Sequence, residues 1–444
     1  MKRIWYSIVI ALAACLLFCT EAGIAVTKAE EPGTTAVVAE EPAAEGSAAQ
    51  TFQFSAVQNK FKLDAQYGGS GTTVIAIKKD KSLWDVVNGK KITTKVKEAS
   101  VIYFGNTYRV LALKTNGKLY LLYPKASGKW GARRLLSGVK ELAKEPYYQA
   151  GAKYYIYAVK KNGNLMKGVV KLNSAGTNVT KKTWKKVLGS VAHAYIACYS
   201  HSNWDDLTFY AIRKNGDLYA WGGNSKGEVG NGKTKKVSSP VRVLQNVKSL
   251  TCIFQMNGTA PSGGASTFAI TKNGDLYGWG VNDFYTVKMG AGDIVKKPLK
   301  LLSNVQMVDG SDHVTIALTK DGTLWTWGTD IGNTTAEGTT VYHVPIDRTK
   351  IAKNVIAADV DSITIYYVKS NHTLWYQGGA PSSRYEKTIG KPAKLTGQVS
   401  AVKATGTYGT FILKTDGSLY GIDYNNKKGT YIKKFTKMAS GFPK

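Results

Sequence analysis

Eight times along this 444-residue chain, an Asn or Asp that stands three residues before a Leu is preceded within two positions by Lys or Arg. The cations are Lys78 and Lys79, Lys114, Lys160 and Lys161, Arg213 and Lys214, Lys272, Lys320, Lys369, and Lys414. Ammonium groups are point charges without the planar fork by which a guanidinium reads a guanine edge or a single carboxylate, so their chemistry is diffuse attraction to a polyanion. No comparable set marks a reaction centre. The five His, at 193, 201, 313, 343 and 372, show neither HExxH nor His-x-His spacing, and so mark no metal site or general base. Asp359 and Asp361 have no partner acid at a diagnostic spacing, and no Gly-x-Ser-x-Gly, P-loop or dinucleotide fingerprint occurs. The expectation is therefore a non-enzymatic protein with no catalytic residue, metal or cofactor. Cys198 and Cys252 lie about one repeat apart on strands expected to be equivalent, and we read them as buried thiols in preference to a disulfide.

The elements that place the cations repeat with them. Three residues after each Asx (Asp80, Asn116, Asn162, Asn215, Asn273, Asp321, Asn371 and Asp416) stands a Leu, at 83, 119, 165, 218, 276, 324, 374 and 419. An aromatic follows the Leu in seven copies, and Met166 follows it in the third. The residue after the Asx is Gly in six copies, with Lys81 and His372 the exceptions. Asx-Gly between two β-rich runs predicts a hairpin whose tight turn has positive φ at both central residues. The hairpins run from 74 to 84, 111 to 120, 157 to 166, 210 to 219, 268 to 277, 316 to 325, 366 to 375 and 411 to 420. Both faces of each are apolar, so neither stands in water alone. The tyrosines and tryptophans behind the Leu read as core and not as a stacking platform.

A period of about fifty residues leaves room for four short strands, and four-stranded blades stacked around an axis cover both faces of every hairpin. The expected fold is an all-β propeller of four-stranded blades, with eight hairpins giving seven or eight blades. In copy four, Pro240–Leu244 and Val247–Cys252 are expected to supply the other two strands. Equivalent turns of a propeller emerge on one rim, so the cations form a basic ring facing one way. That ring either contacts a polyanion, such as teichoic acid, anionic lipid headgroups or nucleic acid, or merely solubilises the turns.

Copy four reads Asn215-Gly216-Asp217-Leu218-Tyr219-Ala220-Trp221-Gly222-Gly223-Asn224, and continues through Gly227, Gly230 and Gly232. This string resembles the regulator-of-chromosome-condensation repeat, as does Gly310 to Thr315 with its His313. The resemblance covers about 65–444 and implies a propeller, usually of seven blades. It departs from the pattern in that Trp-Gly survives only at 221–222, 279–280 and 327–328. In the family's namesake, propeller loops promote nucleotide exchange on a small GTPase and bind chromatin, but no exchange element is recognisable here.

Residues 1–29 read as a secretory signal peptide, with Lys2 and Arg3 ahead of the apolar run from Ile8 to Phe18. Leu12 to Cys15 also resembles a lipobox with Cys15 as the lipidated residue. Residues 30–50 form an acidic Ala/Glu/Pro linker, and 51–444 the propeller. No further apolar run is long enough to span a bilayer. The chain carries 60 Lys+Arg against 30 Asp+Glu, a net of +30. Residues 1–50 contribute three cations and six anions, so the remainder carries +33. Encounters of such a surface are steered and salt-sensitive. The function expected is a monomeric binding scaffold, secreted or attached to the cell envelope, that contacts an anionic envelope polymer or a protein partner. The alternatives are a propeller enzyme acting on a sugar-like substrate in the central funnel, or exchange activity by analogy with the family.

Overall fold

The computed structural model describes residues 63–68, 71–104, 107–150, 153–197, 207–255, 264–290, 292–311, 313–329, 345–361, 364–378, 392–404, 410–425 and 430–442. The signal peptide, the lipobox, the acidic linker, Cys198, His201 and His343 lie outside them. Among the described residues no helix is long and apolar enough to cross a membrane.

The hairpin register is the same in every copy. Ile77 faces Leu83, Leu113 faces Leu119, Val159 faces Leu165, Ile212 faces Leu218, Ile270 faces Leu276, Leu318 faces Leu324, Val368 faces Leu374 and Leu413 faces Leu419. All eight leucines are buried, and each contributes roughly 1.5–3 kcal/mol of apolar burial. A strand on either side completes a four-stranded antiparallel meander. The described residues thus form eight such blades, spanning 63–93, 96–136, 139–188, 191–244, 247–302, 305–352, 355–396 and 399–439. The third and fourth are joined by one parallel bridge between Lys144 and Tyr195. Copy one is a complete blade, so eight is the count among the described residues.

One expected strand assignment moves. The strand Val237–Leu244 closes blade four, but Val247–Gln255 pairs with Gly264–Thr271 and opens blade five. Asn246, with φ of 59°, turns the chain out of one sheet and into the next. Lys95, Gly138, Ser190, Asn304, Asn354, Gln398 and Gly441 hold the same left-handed place elsewhere.

The turns also differ from expectation. At Asn116-Gly117 only the Gly has positive φ (80°), and Gly117 N–H donates to Lys114 O at 2.9 Å. The loop is a three-residue one with a left-handed last residue. The Asx recurs because its side chain accepts the N–H two residues on, as Asn116 Oδ1 does from Lys118 at 3.1 Å and Asp416 Oδ1 from Ser418 at 2.8 Å. Lys81 and His372 take the left-handed place at 65° and 61°. That conformation costs an L-residue about 1–2 kcal/mol. Lys81→Gly and His372→Gly are therefore each expected to raise stability by up to about 1 kcal/mol, read as a shift of the urea midpoint at unchanged slope.

Blades are clasped in pairs by two backbone bonds. Val96 N–H donates to Lys81 O and Thr115 N–H to Lys95 O, both at 2.9 Å. The pair recurs with Val139 and Lys161, Val191 and Lys214, Val247 and Lys272, Val305 and Lys320, Val355 and Ser370, and Val399 and Thr415 as donors. The eighth clasp joins the last blade to the first. Phe442 N–H donates to Gly417 O at 3.1 Å, and Lys79 N–H to Gly441 O at 2.9 Å. Phe442 is 3 % exposed and packs with Val74, Ala76 and Val86 of blade one and with Phe411 and Leu413 of blade eight. The ring is therefore closed by the residue that stands where Val opens the other blades.

Candidate functional site

Strands alternate in direction, so the turns between second and third strands share one rim with the inter-blade links, and the other loops emerge on the opposite face. All the cations singled out in the sequence lie on that rim, but in two classes. Lys114, Lys160, Arg213, Lys369 and Lys414 end their strands, Lys78 directly follows its own, and all six are half-buried. Three of them cover an aromatic ring of their own blade: Lys78 lies 4.0 Å from the Trp84 centroid, Arg213 4.4 Å from Tyr219 and Lys369 4.6 Å from Trp375. Lys114 Nζ donates to Thr93 Oγ1 at 2.6 Å, and Lys414 Nζ donates to Thr396 Oγ1 at 3.1 Å and to Gly397 O. Burial lowers the pKa of both amines.

The second class, Lys79, Lys161, Lys214, Lys272 and Lys320, is exposed. Lys161, Lys214, Lys272 and Lys320 lean over Gly117, Gly163, Gly216 and Gly274, the turn glycines of the preceding blades, and Lys272 donates to Asn215 O at 3.2 Å. At the same place blades two, seven and eight have Thr115, Ser370 and Thr415. The expected eightfold ring is thus an inner set occupied with the fold and an outward set in five blades.

A complete eightfold set exists one strand further out, and sequence reasoning missed it. On the fourth strands, the residue paired in register with the aromatic or Met behind the repeated Leu is always a cation. The pairs are Trp84 with Lys91, Tyr120 with Arg134, Met166 with Lys186, Tyr219 with Arg242, Tyr277 with Lys300, Trp325 with Lys350, Trp375 with Lys394 and Tyr420 with Lys437. All eight cations are exposed, and their partners are half-buried. Lys350 Nζ lies 5.0 Å over Trp325. Two of the eight meet a carboxylate among the described residues: Lys300 with Asp275 at 2.8 Å, which holds the acid low and the amine high, and Arg242 with Asp217 at 3.8 Å. The signal was present in the sequence. Each cation stands five residues before the residue that clasps the next blade, from Lys91 before Val96 to Lys437 before Phe442.

The first strands line the axis and are tied to one another by polar groups. Glu98 accepts from Leu142 N–H at 2.8 Å, His193 Nδ1 lies 3.0 Å from Glu141, and Lys140 Nζ donates to Ala192 O at 3.1 Å. Asp359, which has no partner acid at a diagnostic sequence spacing, is buried between the strands of two other blades. Its carboxylate, 1 % exposed, lies 2.9 Å from Lys403 and within the field of Asp309, on the strands of the two adjacent blades. Burial raises its pKa to about 7, Lys403 opposes the rise and Asp309 adds to it. Asp359 also accepts the N–H bonds of Val360 and Ala404. This is the geometry of a tie between strands.

An acid with a raised folded pKa holds a proton that the unfolded chain has lost, so its contribution to stability falls as pH rises from about 4 to 7. Asp359→Asn is expected to gain stability relative to the parent across that window. Urea unfolding at several pH values checks the sign of the difference. Elsewhere, the His313 ring lies against Phe284 in a tilted arrangement, centroids 4.3 Å apart, and His372 Nδ1 lies 3.0 Å from Val399 O. Cys252 is half-buried on the first strand of blade five. Among the described residues no cluster of three metal-ligating side chains occurs.

Comparison with known proteins places part of this architecture. The regulator-of-chromosome-condensation (RCC1) repeat matches residues 215–255, from the turn of blade four to the first strand of blade five. The human E3 ubiquitin-protein ligase HERC2 is 36% identical over 99 residues, 22% of this chain and 2% of that protein. The Xenopus laevis protein RCC2 homolog is 29% identical over 113 residues, 25% of this chain and 20% of that protein. The chain therefore spans a small fraction of either relative. Among solved structures, yeast RCC1 (Prp20) bound to Kap60 aligns over 89% of this chain and 98% of its own, at 14% identity and a TM-score of 0.45.

Proposed function

We propose that this RCC1-like propeller is a non-enzymatic binding scaffold whose basic surface contacts an anionic polymer of the cell envelope. The observation that supports the reading is repetition: every blade carries an exposed cation at one register, on a chain of net charge +30. Acids on the first strands are engaged with neighbouring backbone and cations, which favours a scaffold over a funnel enzyme. The basic and apolar segments before residue 29 support export, and with it an encounter with envelope polymers. A protein partner with an acidic face would meet the same cations.

The test is binding of the purified protein to isolated envelope polymers, anionic vesicles and DNA across a salt series. Binding to an envelope polymer that weakens steeply with salt is expected. Absence of binding to every polyanion at low salt would sink the reading.

A further inference from the structure

We infer that the cations of the eight fourth strands form a circumferential belt, and that its occupant is a flexible linear polyanion with a phosphate or phosphodiester backbone wrapped around the propeller's edge. This rests on the scaffold reading above and names its surface and the chemistry of its ligand. The fourth strand is the outermost of each blade, three strand spacings of about 4.8 Å, about 14 Å, beyond the first. Rotation from blade to blade sets one exposed cation at the same height eight times over. Fourth strands add further exposed charge beside it, as with Lys181, Lys182 and Lys185 in blade three and Lys296 and Lys297 in blade five.

The chemistry follows from what the belt offers. Aromatic side chains stand beside its cations, yet faces of Trp84, Tyr219, Trp325 and Trp375 are already covered by Lys78, Arg213, Lys350 and Lys369. Base or sugar stacking is thereby disfavoured in those four blades, whereas an exposed cation is common to all eight. Shape excludes two other polyanions. A planar membrane touches one arc of a circumference and cannot meet eight equivalent sites together. Duplex DNA, with a persistence length of about 500 Å, resists bending around a ring a few tens of Å in radius. A flexible chain pays no such cost, and each further cation engaged adds to avidity without requiring a new kind of contact.

The experiment uses the full chain with tripolyphosphate, polyphosphate of about 15 and about 100 residues, duplex DNA and anionic vesicles, at several salt concentrations. Affinity is expected to rise at least about 100-fold from tripolyphosphate to the longest chain, with a salt dependence that steepens with length. Changing all eight belt cations to Gln is expected to remove most of that gain, whereas Gln at Lys79, Lys161, Lys214, Lys272 and Lys320 leaves it within about tenfold. A milder variant, K91Q with K186Q and K350Q, should lose affinity in proportion, and thermal unfolding of each variant verifies the fold. The belt is overturned if its Gln variants bind long polyphosphate like the parent, or if the turn variant carries the loss. Flat dependence on length, or tighter binding to duplex or vesicles, overturns the flexible occupant. If the parent binds none of the probes at any salt, the scaffold reading fails with it.

Discussion

Removing Ser440 to Lys444 is expected to cost the ring its closure, and Phe442→Ala alone about 3–5 kcal/mol. Phe442 is buried among side chains of the first and last blades, and its N–H and the carbonyl of Gly441 make both bonds of the eighth clasp. Truncation to Ala leaves the clasp but opens a cavity between blades one and eight, while the deletion removes clasp and core together. Urea unfolding should show a lowered midpoint for the point variant. For the deletion, amide exchange should show blades one and eight losing protection before the rest. Lys437→Gln, five residues upstream and exposed, is the control and should stay within about 0.5 kcal/mol. Equal stability of Phe442→Ala and the parent would show that the ring is held elsewhere.

Trp279→Ala is the second large effect, also about 3–5 kcal/mol. Trp279 is fully buried, meets Tyr210 edge-on at 6.4 Å, and its Nε1–H reaches back into the loop of blade four to donate to Glu228 O at 2.7 Å. Trp327 does the same one blade later, donating to Thr286 O at 2.6 Å. The glycine after Trp279 is required as well: φ is 96°, and a Cβ there would lie 2.2 Å from Ala265 O. Trp279→Phe separates the contributions. It keeps most of the volume, and Glu228 O retains the Tyr210 hydroxyl at 2.6 Å, so only about 1 kcal/mol should be lost. Chemical denaturation of the pair, compared at equal slope, decides whether packing or the indole bond dominates.

The sequence made the hairpins legible because everything that builds them is local. Asx, left-handed residue and Leu fall within four positions, so unequal loops elsewhere do not blur the pattern. The belt escaped for the opposite reason. From Leu83 to Lys91 is eight residues but from Leu324 to Lys350 is twenty-six, because loops of different length intervene. Counted from the clasping residue that follows, the interval is constant, since the link between blades is rigid. Asp359 and Lys403 were invisible as a pair because they lie on different blades, and such adjacency belongs to the ring and not to the repeat. The turn lysines were found but their work was not: Lys78 beside an Asx looks the same whether its ammonium faces water or the Trp84 ring.

Seven clasps are crossed by continuous chain, and the eighth is made by two backbone bonds and one aromatic side chain of the same form. In pairing register Leu63 corresponds to Ala99, three places after Val96, so Phe442 stands three places ahead of the first strand of blade one. The seam between blades eight and one is accordingly equivalent in its backbone bonds to the seven others. Circular permutation that joins blade eight covalently to blade one and opens the chain at another inter-blade link is therefore expected to keep every sheet and to move only the one non-covalent seam.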